Sequence, residues 1–325
     1  MGLAQKVAPR GTFRRKVAQA LVNAVWGGKP RDESSTLKRS WARHDPSALD
    51  EYLVSGYQNP RVNAQSMLTR HYLVRRLFGD EFDTLMHDEL MHCVKATEAL
   101  RQRAKQLDVT MGHFINEEKR AQVREVSQVI ADWEADFEKK WAAALADREP
   151  PAAAPLKVLE FACGSANDYR FFDSYGIAKF LDYTGVDLND NNIANARKRF
   201  PGVNFEVQSI LELPYEDQSF DYVVASDIFE HMSLEAMEQA MGEACRLARK
   251  GMILTFFSMS DAPEHEVRPK RNYFWNVLSP ARIEELIAKN FGPVEVINIR
   301  AFMREEYEYR RSYNKKAWTM IAERA

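Results

Sequence analysis

From residue 156 onward, short β-rich runs alternate with helical patterns, and this alternation constrains the fold more than any other feature of the chain. The strand candidates are 157–162, 183–188, 203–208, 220–226, 251–258, 293–301 and 316–323. The helical patterns fall at about 167–179, 190–200, 233–248 and 279–290. Such alternation predicts a parallel sheet with helices on both faces. The last two strand candidates have no helical pattern between them, so we expect them to pair as a hairpin at the sheet edge.

The first half of the chain has a different texture and reads as helices joined by short loops. Helices are predicted over 61–78, from residue 80 or 81 to about 107, and from about 114 to 145. The last of these carries apolar residues at steps of three and four, which make one stripe along the helix. The stripe would pack within the chain or against a second subunit. The helical half is therefore predicted to be a substrate lid, a homodimer interface or a docking platform.

A short segment rich in proline and alanine separates the two halves. Residues 149–155 contain three prolines, which cannot continue a helix. The predicted organisation is an α-helical N-terminal domain at 1–148, a linker at 149–155 and an α/β domain at 156–325.

Composition excludes several classes of protein. The net charge of -2 argues against a protein that binds polyanions by its bulk charge. The three cysteines are widely spaced, which favours a reduced compartment over a disulfide framework. No apolar run approaches the roughly 18 residues that a membrane-spanning helix needs. These observations predict a cytoplasmic protein.

The N-terminus is nevertheless locally basic. Before residue 41, nine lysines and arginines face only Asp32 and Glu33, and apolar residues between 13 and 25 recur at helical spacing. Such a helix would lie on an anionic membrane or a partner, or it would be a solvated helix end packed on the body of the protein. Both interpretations stay open at this point.

The first strand of the α/β half ends in an acid and is followed by a turn of small residues. Glu160 precedes Ala162, Gly164 and Ala166, and a helical pattern begins at about Asn167. Small residues let the backbone approach a ligand closely. In open α/β sheets, ligands bind beyond the carboxyl ends of the strands, which is where this turn lies.

The second strand also ends in an acid, Asp187, which follows Glu160 by 27 positions. A carboxylate at this place can accept hydrogen bonds from both hydroxyls of a ribose. Alternatively, Asp187 caps the next helix, a role that Asn189 or Asp190 would fill equally well.

Two further segments complete the pattern. Ser209 and Ile210 follow the third strand, and the fourth strand leads into Asp227-Ile228-Phe229-Glu230-His231. In their order and spacing, the four segments resemble the motifs of class I methyltransferases that use S-adenosylmethionine. The resemblance covers 156–325 and does not extend to the helical half. It implies a Rossmann-like seven-stranded sheet that ends in an antiparallel strand.

The resemblance also implies roles for individual residues. Glu160 would orient the amino-acid end of the cofactor, directly or through the turn, and Asp187 would bind its ribose. Ser209 stands where the family usually has an acid that accepts from the adenine amino group, and Ile210 would pack on the adenine ring. The residues assigned to the cofactor S-adenosyl-L-methionine are Glu160, Ala162, Gly164, Asp187, Leu188, Ser209, Ile210, Asp227 and Ile228.

Methyl transfer from a sulfonium is an in-line displacement, so the protein must position the acceptor atom and exclude water. A hydroxyl acceptor also needs a base to remove its proton. His231 is the candidate catalytic base, because it follows the fourth strand, near where the methyl group should lie, and histidine is the side chain most often used as a general base. The alternative is that His231 caps a helix or positions its neighbours.

Two segments are candidates for the acceptor pocket. The first, 258–279, mixes cations and aromatic residues that suit an anionic or sugar-like acceptor, or else it is a solvated loop with a few anchoring aromatics. The acceptor-binding residues proposed there are His265, Arg268, Tyr273 and Asn276. The second segment, 57–66, is rich in amide side chains that suit hydroxyl recognition or helix capping. No metal is expected, since His87 and His92 lie five positions apart and do not share a helix face well.

Three functions remain in competition. The favoured one is methyl transfer to a small-molecule or glycan-type acceptor, at oxygen. A nucleic-acid methyltransferase is second, although the expected base-amino motif is absent at 227–230 and the net charge is not basic. A non-catalytic binding or scaffold protein is third, motivated by the alanines and the serine in the motifs. A dehydrogenase on the same fold would need G-x-G-x-x-G, whereas residues 162–167 contain one glycine.

Overall fold

The computed structural model describes residues 63–106, 136–271, 273–309 and 314–324. Within them the chain forms a seven-stranded sheet with the order β3-β2-β1-β4-β5-β7-β6. The strands are β1 Leu156–Phe161, β2 Leu181–Asp187, β3 Asn204–Val207, β4 Phe220–Ser226, β5 Ala248–Phe256, β6 Val294–Asn298 and β7 Trp318–Glu323. The pairs among β1 to β5 are parallel, and β7 is antiparallel to both β5 and β6. The predicted Rossmann-like sheet is confirmed.

Helices connect the parallel strands as the alternation predicts, except between β3 and β4, which are joined by non-helical residues. They are α4 Asn167–Ser174, α5 Asp190–Arg199, α6 Leu234–Leu247 and α7 Pro280–Asn290. Side chains at their N-termini fix where α5, α6 and α7 begin, because Asn189, Ser233 and Ser279 each accept a backbone N–H of the first turn. The central strands β1 and β4 are buried almost throughout, since helices cover both faces of the sheet.

The C-terminal part differs from the prediction. The expected strand 293–301 ends at Asn298, and a helix that was not expected, α8 Ile299–Glu306, follows it. Asn298 caps this helix by accepting from the Ala301 N–H at 2.9 Å, while Ile299 and Met303 bury one face. The antiparallel pairing of the last two strands is confirmed, but β7 lies between β5 and β6, so β6 forms the edge.

In the first half, α1 spans Ala64–Phe78 and α2 spans Asp83–Gln106, joined by a short 3-10 helix at Gly79–Phe82. Residues 136–145 are helical as well and are named α3. The rest of the predicted third helix, the basic stretch before residue 41 and the segment 57–62 lie outside the described residues.

The helices of the first half pack on the sheet. Leu73 and Leu77 of α1 and Trp141 of α3 share one hydrophobic core with Val158 and Tyr222 of the central strands. The domain boundary at 148 stays a prediction, but the helices and the sheet share this core.

Specific hydrogen bonds fix where α1 lies on the sheet. Buried Gln65 donates from Nε2 to the carbonyl oxygens of Phe256 at 3.0 Å and Trp318 at 2.8 Å. Further along α1, the Tyr72 hydroxyl donates to Glu323 at 3.1 Å. The start and the middle of α1 are therefore held against the strands β5 and β7. In the part of the chain that the structure describes, no helix combines the length and apolar character needed to cross a membrane.

Candidate active site

The turn after β1 has the backbone of a glycine-rich loop although it contains a single glycine. Ala162, Gly164 and Ala166 have φ values of +53°, +56° and +61°, in the left-handed region. An L-residue there costs roughly 1–2 kcal/mol in steric strain, which favours glycine. The two alanines adopt the same left-handed backbone as Gly164 in spite of this strain, so the turn has the backbone expected of a glycine-rich loop.

Asp187 ties this turn to the end of β2. Its Oδ2 accepts the Gly164 N–H at 2.9 Å, and its Oδ1 accepts the Asn189 N–H at 2.8 Å and the Asn192 side chain at 3.3 Å. Asn189 is the residue that caps α5. A carboxylate offers about four acceptor positions, so one remains for a ligand while the turn stays in place.

Glu160 lies beneath the turn inside the sheet. It is buried and accepts the Tyr183 hydroxyl at 2.5 Å. Burial, with the nearby charges of Asp168 and Asp187, raises the pKa of Glu160 well above its usual range. Gly185 makes room for this contact, because a Cβ there would lie 2.9 Å from the Tyr183 hydroxyl. The geometry favours the indirect role, in which Glu160 supports the turn from below.

An apolar surface lies next to Asp187 at the ends of β2 and β3. Asp187 pairs in register with Val207, whose side chain is 46% exposed, and the adjoining Leu188 is 76% exposed. Ile210, three positions after Val207 in the sequence, is buried. The Ser209 hydroxyl accepts the Leu211 N–H at 3.3 Å and so stabilises the turn in which it lies. Exposed apolar side chains beside the acid predicted to bind the ribose suit the face of a nucleobase.

Asp227 stands at the end of β4 with an unpaired carboxyl oxygen. Its φ is +55°, and its backbone N–H donates to Thr255 at 3.0 Å. The residue is partly exposed, yet its Oδ1 is buried and has no hydrogen-bond partner among the described residues. Burial raises the pKa of Asp227 to about 7, and the negative charge of Asp168 adds to the shift. A buried acceptor without a donor indicates a place for a ligand group that donates.

Asp168 was missed in the sequence, where it reads as an ordinary acid in the first turn of a helix. In the structure, its charge contributes to the raised pKa of Asp227, and the Ser226 side chain hydrogen-bonds to it. Burial raises the pKa of Asp168, although the hydrogen bond from Ser226 and the charge of Arg70 oppose that shift. The ends of β1 and β4 therefore meet at a pair of carboxyl groups.

Glu230 connects the fourth strand end to the segment 258–279. It is fully buried, and its Oε1 accepts the N–H groups of Phe257 at 2.7 Å and Ser258 at 3.1 Å. Burial, together with the charge of Asp227, raises the pKa of Glu230 to about 8. Its position explains how the short 3-10 helix Phe229–His231 is held in place.

His231 is oriented by a backbone carbonyl. Its Nδ1 lies 3.1 Å from the Phe274 oxygen, and because a carbonyl only accepts, Nδ1 must carry the proton in this contact. The other ring nitrogen, Nε2, is then an acceptor in the neutral imidazole. Three aromatic rings surround the imidazole and are named here the aromatic cluster: Phe257, Trp275 and Tyr273, with centroids at 5.3, 5.4 and 5.8 Å from that of His231.

The four residues proposed for the acceptor differ in their surroundings. Tyr273 lies beside His231 and is 36% exposed. Asn276 is buried and holds two backbone groups, donating to Met232 O at 2.8 Å and accepting from Arg268 N at 3.0 Å.

The other two proposed residues contact neighbours of their own. His265 accepts the Ser279 N–H at 3.0 Å at the start of α7, and Arg268 pairs with Glu266 at the surface. Of these four side chains, Tyr273 is therefore the one that contacts the His231 ring. Acceptor binding by all four stays a prediction.

Comparison with known proteins bears on the half of the chain that contains this site. Residues 158–251 match the family model described as a methyltransferase domain. This part of the chain is therefore similar to a methyltransferase domain. The predicted family resemblance is thereby confirmed, and the enzyme class and the cofactor S-adenosylmethionine are supported at the level of the domain.

Two curated relatives match the chain over about a third or more of its length. A Mycolicibacterium smegmatis protein named "probable S-adenosylmethionine-dependent methyltransferase" is 28% identical over 137 residues, 40% of this chain and 49% of that protein. The phthiotriol/phenolphthiotriol dimycocerosates methyltransferase 1 of Mycobacterium ulcerans is 30% identical over 113 residues, 33% of this chain and 39% of that protein. The matched part spans less than half of each relative.

Among solved structures, a Burkholderia thailandensis 1,6-didemethyltoxoflavin-N1-methyltransferase superposes with a TM-score of 0.42 at 16% identity, covering 58% of this chain and 78% of that one. A similarity at this level says nothing about substrate.

Proposed function

We propose that the chain transfers the methyl group of S-adenosylmethionine to a hydroxyl oxygen of a small-molecule or glycan-type acceptor, with His231 as the general base. One observation carries the proposal. The contact between His231 Nδ1 and Phe274 O leaves Nε2 as a proton acceptor, at the end of the strand that also carries Asp227. A neutral, oriented imidazole is what the removal of a hydroxyl proton requires.

The described residues fit the cofactor. Asp187 has a free acceptor position for a ribose hydroxyl, and Leu188 and Val207 offer apolar surface to the adenine. The unpaired Oδ1 of Asp227 suits the ammonium of the methionyl end, above the left-handed turn that begins at Ala162. When bound, the cofactor supplies an electrophilic methyl group on a sulfonium.

Residues of the chain would remove the acceptor's proton, exclude water and hold the catalytic turn in place. His231 takes the acceptor's proton at Nε2, and the aromatic cluster packs against the acceptor and keeps water from the reacting atoms. Glu230 and Asn276 hold the turn that carries His231, through Ser258 N and Met232 O. The Mycobacterium ulcerans relative is named as a methyltransferase of phthiotriol dimycocerosates, and this name supports a small-molecule acceptor.

The further predicted features stay predictions: the contact of the basic N-terminus with a membrane or partner, the homodimer through the N-terminal helices, the absence of a metal and the cytoplasmic location.

A transfer assay tests the proposal. The chain is incubated with S-adenosylmethionine labelled in the methyl group and a panel of hydroxylated small molecules and sugars. With an acceptor found, His231→Asn keeps a donor for Phe274 O but removes the base, so we expect kcat to fall about 10²–10⁴-fold. The affinity for S-adenosylhomocysteine should stay unchanged. A His231→Asn variant with full kcat would refute the base, and labelling of a nucleic acid in its place would refute the acceptor class.

A further inference from the structure

Arg70 of α1 is buried with part of its hydrogen-bonding capacity unused. Its side chain is 2% exposed, and its Nη2 donates to Glu89 Oε1 at 2.6 Å. Its Nε and Nη1 are buried and, among the described residues, have no hydrogen-bond partner. Buried donors are almost always paired in native proteins, so two unpaired ones on the same guanidinium call for an explanation.

A structural role accounts for only one side of this guanidinium. Glu89 is the centre of a buried network, since it also contacts His71 Nε2 at 2.6 Å and accepts from Trp141 Nε1 at 2.9 Å. The network joins α1, α2 and α3. Arg70 contributes Nη2 to it, and the remaining donors are not used there.

The packing of Arg70 indicates what its other side faces. Its Cζ lies 4.4 Å from the ring centroid of Tyr175 and 5.4 Å from that of Phe171. Phe171 lies on the same face of α4 as Asp168, three positions further along, and Tyr175 caps the C-terminal end of this helix. Asp168 is near enough for its charge to act on Arg70, and it hydrogen-bonds with the side chain of Ser226 at the end of β4. Arg70 thus approaches the carboxyl ends of β1 and β4 from the helical half.

The charges at this place match a zwitterion. Asp168 and the unpaired Oδ1 of Asp227 suit an ammonium. The Arg70 guanidinium, which has N–H groups without a partner among the described residues, suits a carboxylate better than any other side chain does. The methionyl end of S-adenosylmethionine carries these two groups on one carbon atom.

We infer that Arg70 binds the α-carboxylate of S-adenosylmethionine, so that the helical N-terminal half contributes a cofactor-specificity residue to the site. The inference rests on the proposed function. It gives α1 a role that the motifs of the α/β half do not contain.

The test compares ligands that differ only at the methionyl end, measured by calorimetry without acceptor. S-adenosylhomocysteine carries the carboxylate, and 5′-methylthioadenosine lacks the whole amino-acid end. Arg70→Lys keeps the charge opposite Glu89 but loses the planar fork. We expect it to bind S-adenosylhomocysteine about 10–100-fold more weakly than the wild type and to bind 5′-methylthioadenosine equally well.

Arg76→Lys is the matched control. Arg76 lies on the same helix, pairs with Glu323 and is 39% exposed, so its replacement should change neither affinity. Because altering a partner of buried Glu89 endangers folding, a second comparison uses the wild-type chain alone. It should bind S-adenosylmethionine about 10–100-fold more tightly than its decarboxylated form, which keeps the amine.

The outcomes separate the two proposals. Equal wild-type affinity for S-adenosylmethionine and its decarboxylated form would overturn the Arg70 assignment and leave the proposed function standing. A loss of affinity in Arg70→Lys that is equally large for 5′-methylthioadenosine would overturn it too, because the effect would then be structural. If the wild type bound none of these ligands, the proposed function would fail, and the Arg70 assignment with it.

Discussion

The Gly164 N–H donates to the Asp187 carboxylate over 2.9 Å, so the residue expected to bind the ribose also holds the turn after β1 in shape. The ends of β1 and β2 are therefore coupled before any ligand binds. This coupling makes the turn and the proposed ribose site one unit, and a change at Asp187 should affect both.

Asp187→Ala should weaken the binding of S-adenosylhomocysteine by about 1–3 kcal/mol, because a charge-assisted acceptor is lost. It should also lower the free energy of unfolding, since the N–H groups of Gly164 and Asn189 lose their partner. Calorimetry measures the first effect and denaturant unfolding the second. Unchanged affinity would refute the ribose assignment.

Ala162→Gly should lower the free energy of unfolding much less than an alanine-to-glycine change in the middle of a helix does. Ala162 has a φ of +53°, so glycine relieves strain of roughly 1–2 kcal/mol that offsets its greater freedom in the unfolded chain. Ala194, exposed in the middle of α5, has no such strain, and Ala194→Gly should cost about 1 kcal/mol. Urea unfolding of both variants gives the comparison, and equal losses would show that the turn is not strained.

Stability should fall as the pH rises, because of Glu230. Burial raises the pKa of Glu230 from 4.5 to about 8, so the folded state binds a proton that the unfolded state releases. The protonated carboxyl stabilises the fold fully below the unfolded pKa, and this contribution is lost as the pH rises from about 5 to about 8. Asp227, whose pKa is raised to about 7, acts in the same direction.

Glu230→Gln resembles the protonated acid at every pH, so its denaturation midpoint should change less with pH than that of the wild type. The readout is the midpoint of denaturant unfolding across that pH range, without ligand. Parallel curves for the two proteins would contradict the assignment to Glu230.

Asn276→Ala should destabilise the chain by about 1–3 kcal/mol, because it leaves Met232 O and Arg268 N without the partner that holds the turn after His231. Arg268→Ala removes a surface ion pair with Glu266 and should cost less than about 1 kcal/mol. Thermal unfolding separates the two variants. If their order were reversed, Arg268 would have a structural role that its exposed ion pair does not indicate.

The sheet was predictable because its signals are local: each strand and helix of 156–290 has its own pattern, and the turn residues follow directly. The helix α8 was not predictable, because Asn298, the residue that caps it, lies inside a run that also suits a strand. Alanine at 162 and 166 reads as a departure from the glycine-rich motif, while the backbone shows that the turn is kept.

Other parts of the site depend on contacts between distant residues. Arg70 and Asp168 are 98 positions apart, and only the packing of α1 against α4 brings them together. Asn276 looked like a ligand for an acceptor, and its burial between two backbone groups became visible only in the structure. Sequence patterns identify the residues on one strand or turn, whereas pairs across elements require the fold.

The central claim is that the carboxyl ends of β1, β2 and β4 bind S-adenosylmethionine. Calorimetric titration of the full chain with S-adenosylhomocysteine tests it most directly. The account predicts saturable binding of one molecule per chain, weakened in Asp187→Ala and retained in His231→Asn. A titration of the folded wild-type chain that shows no binding would contradict it.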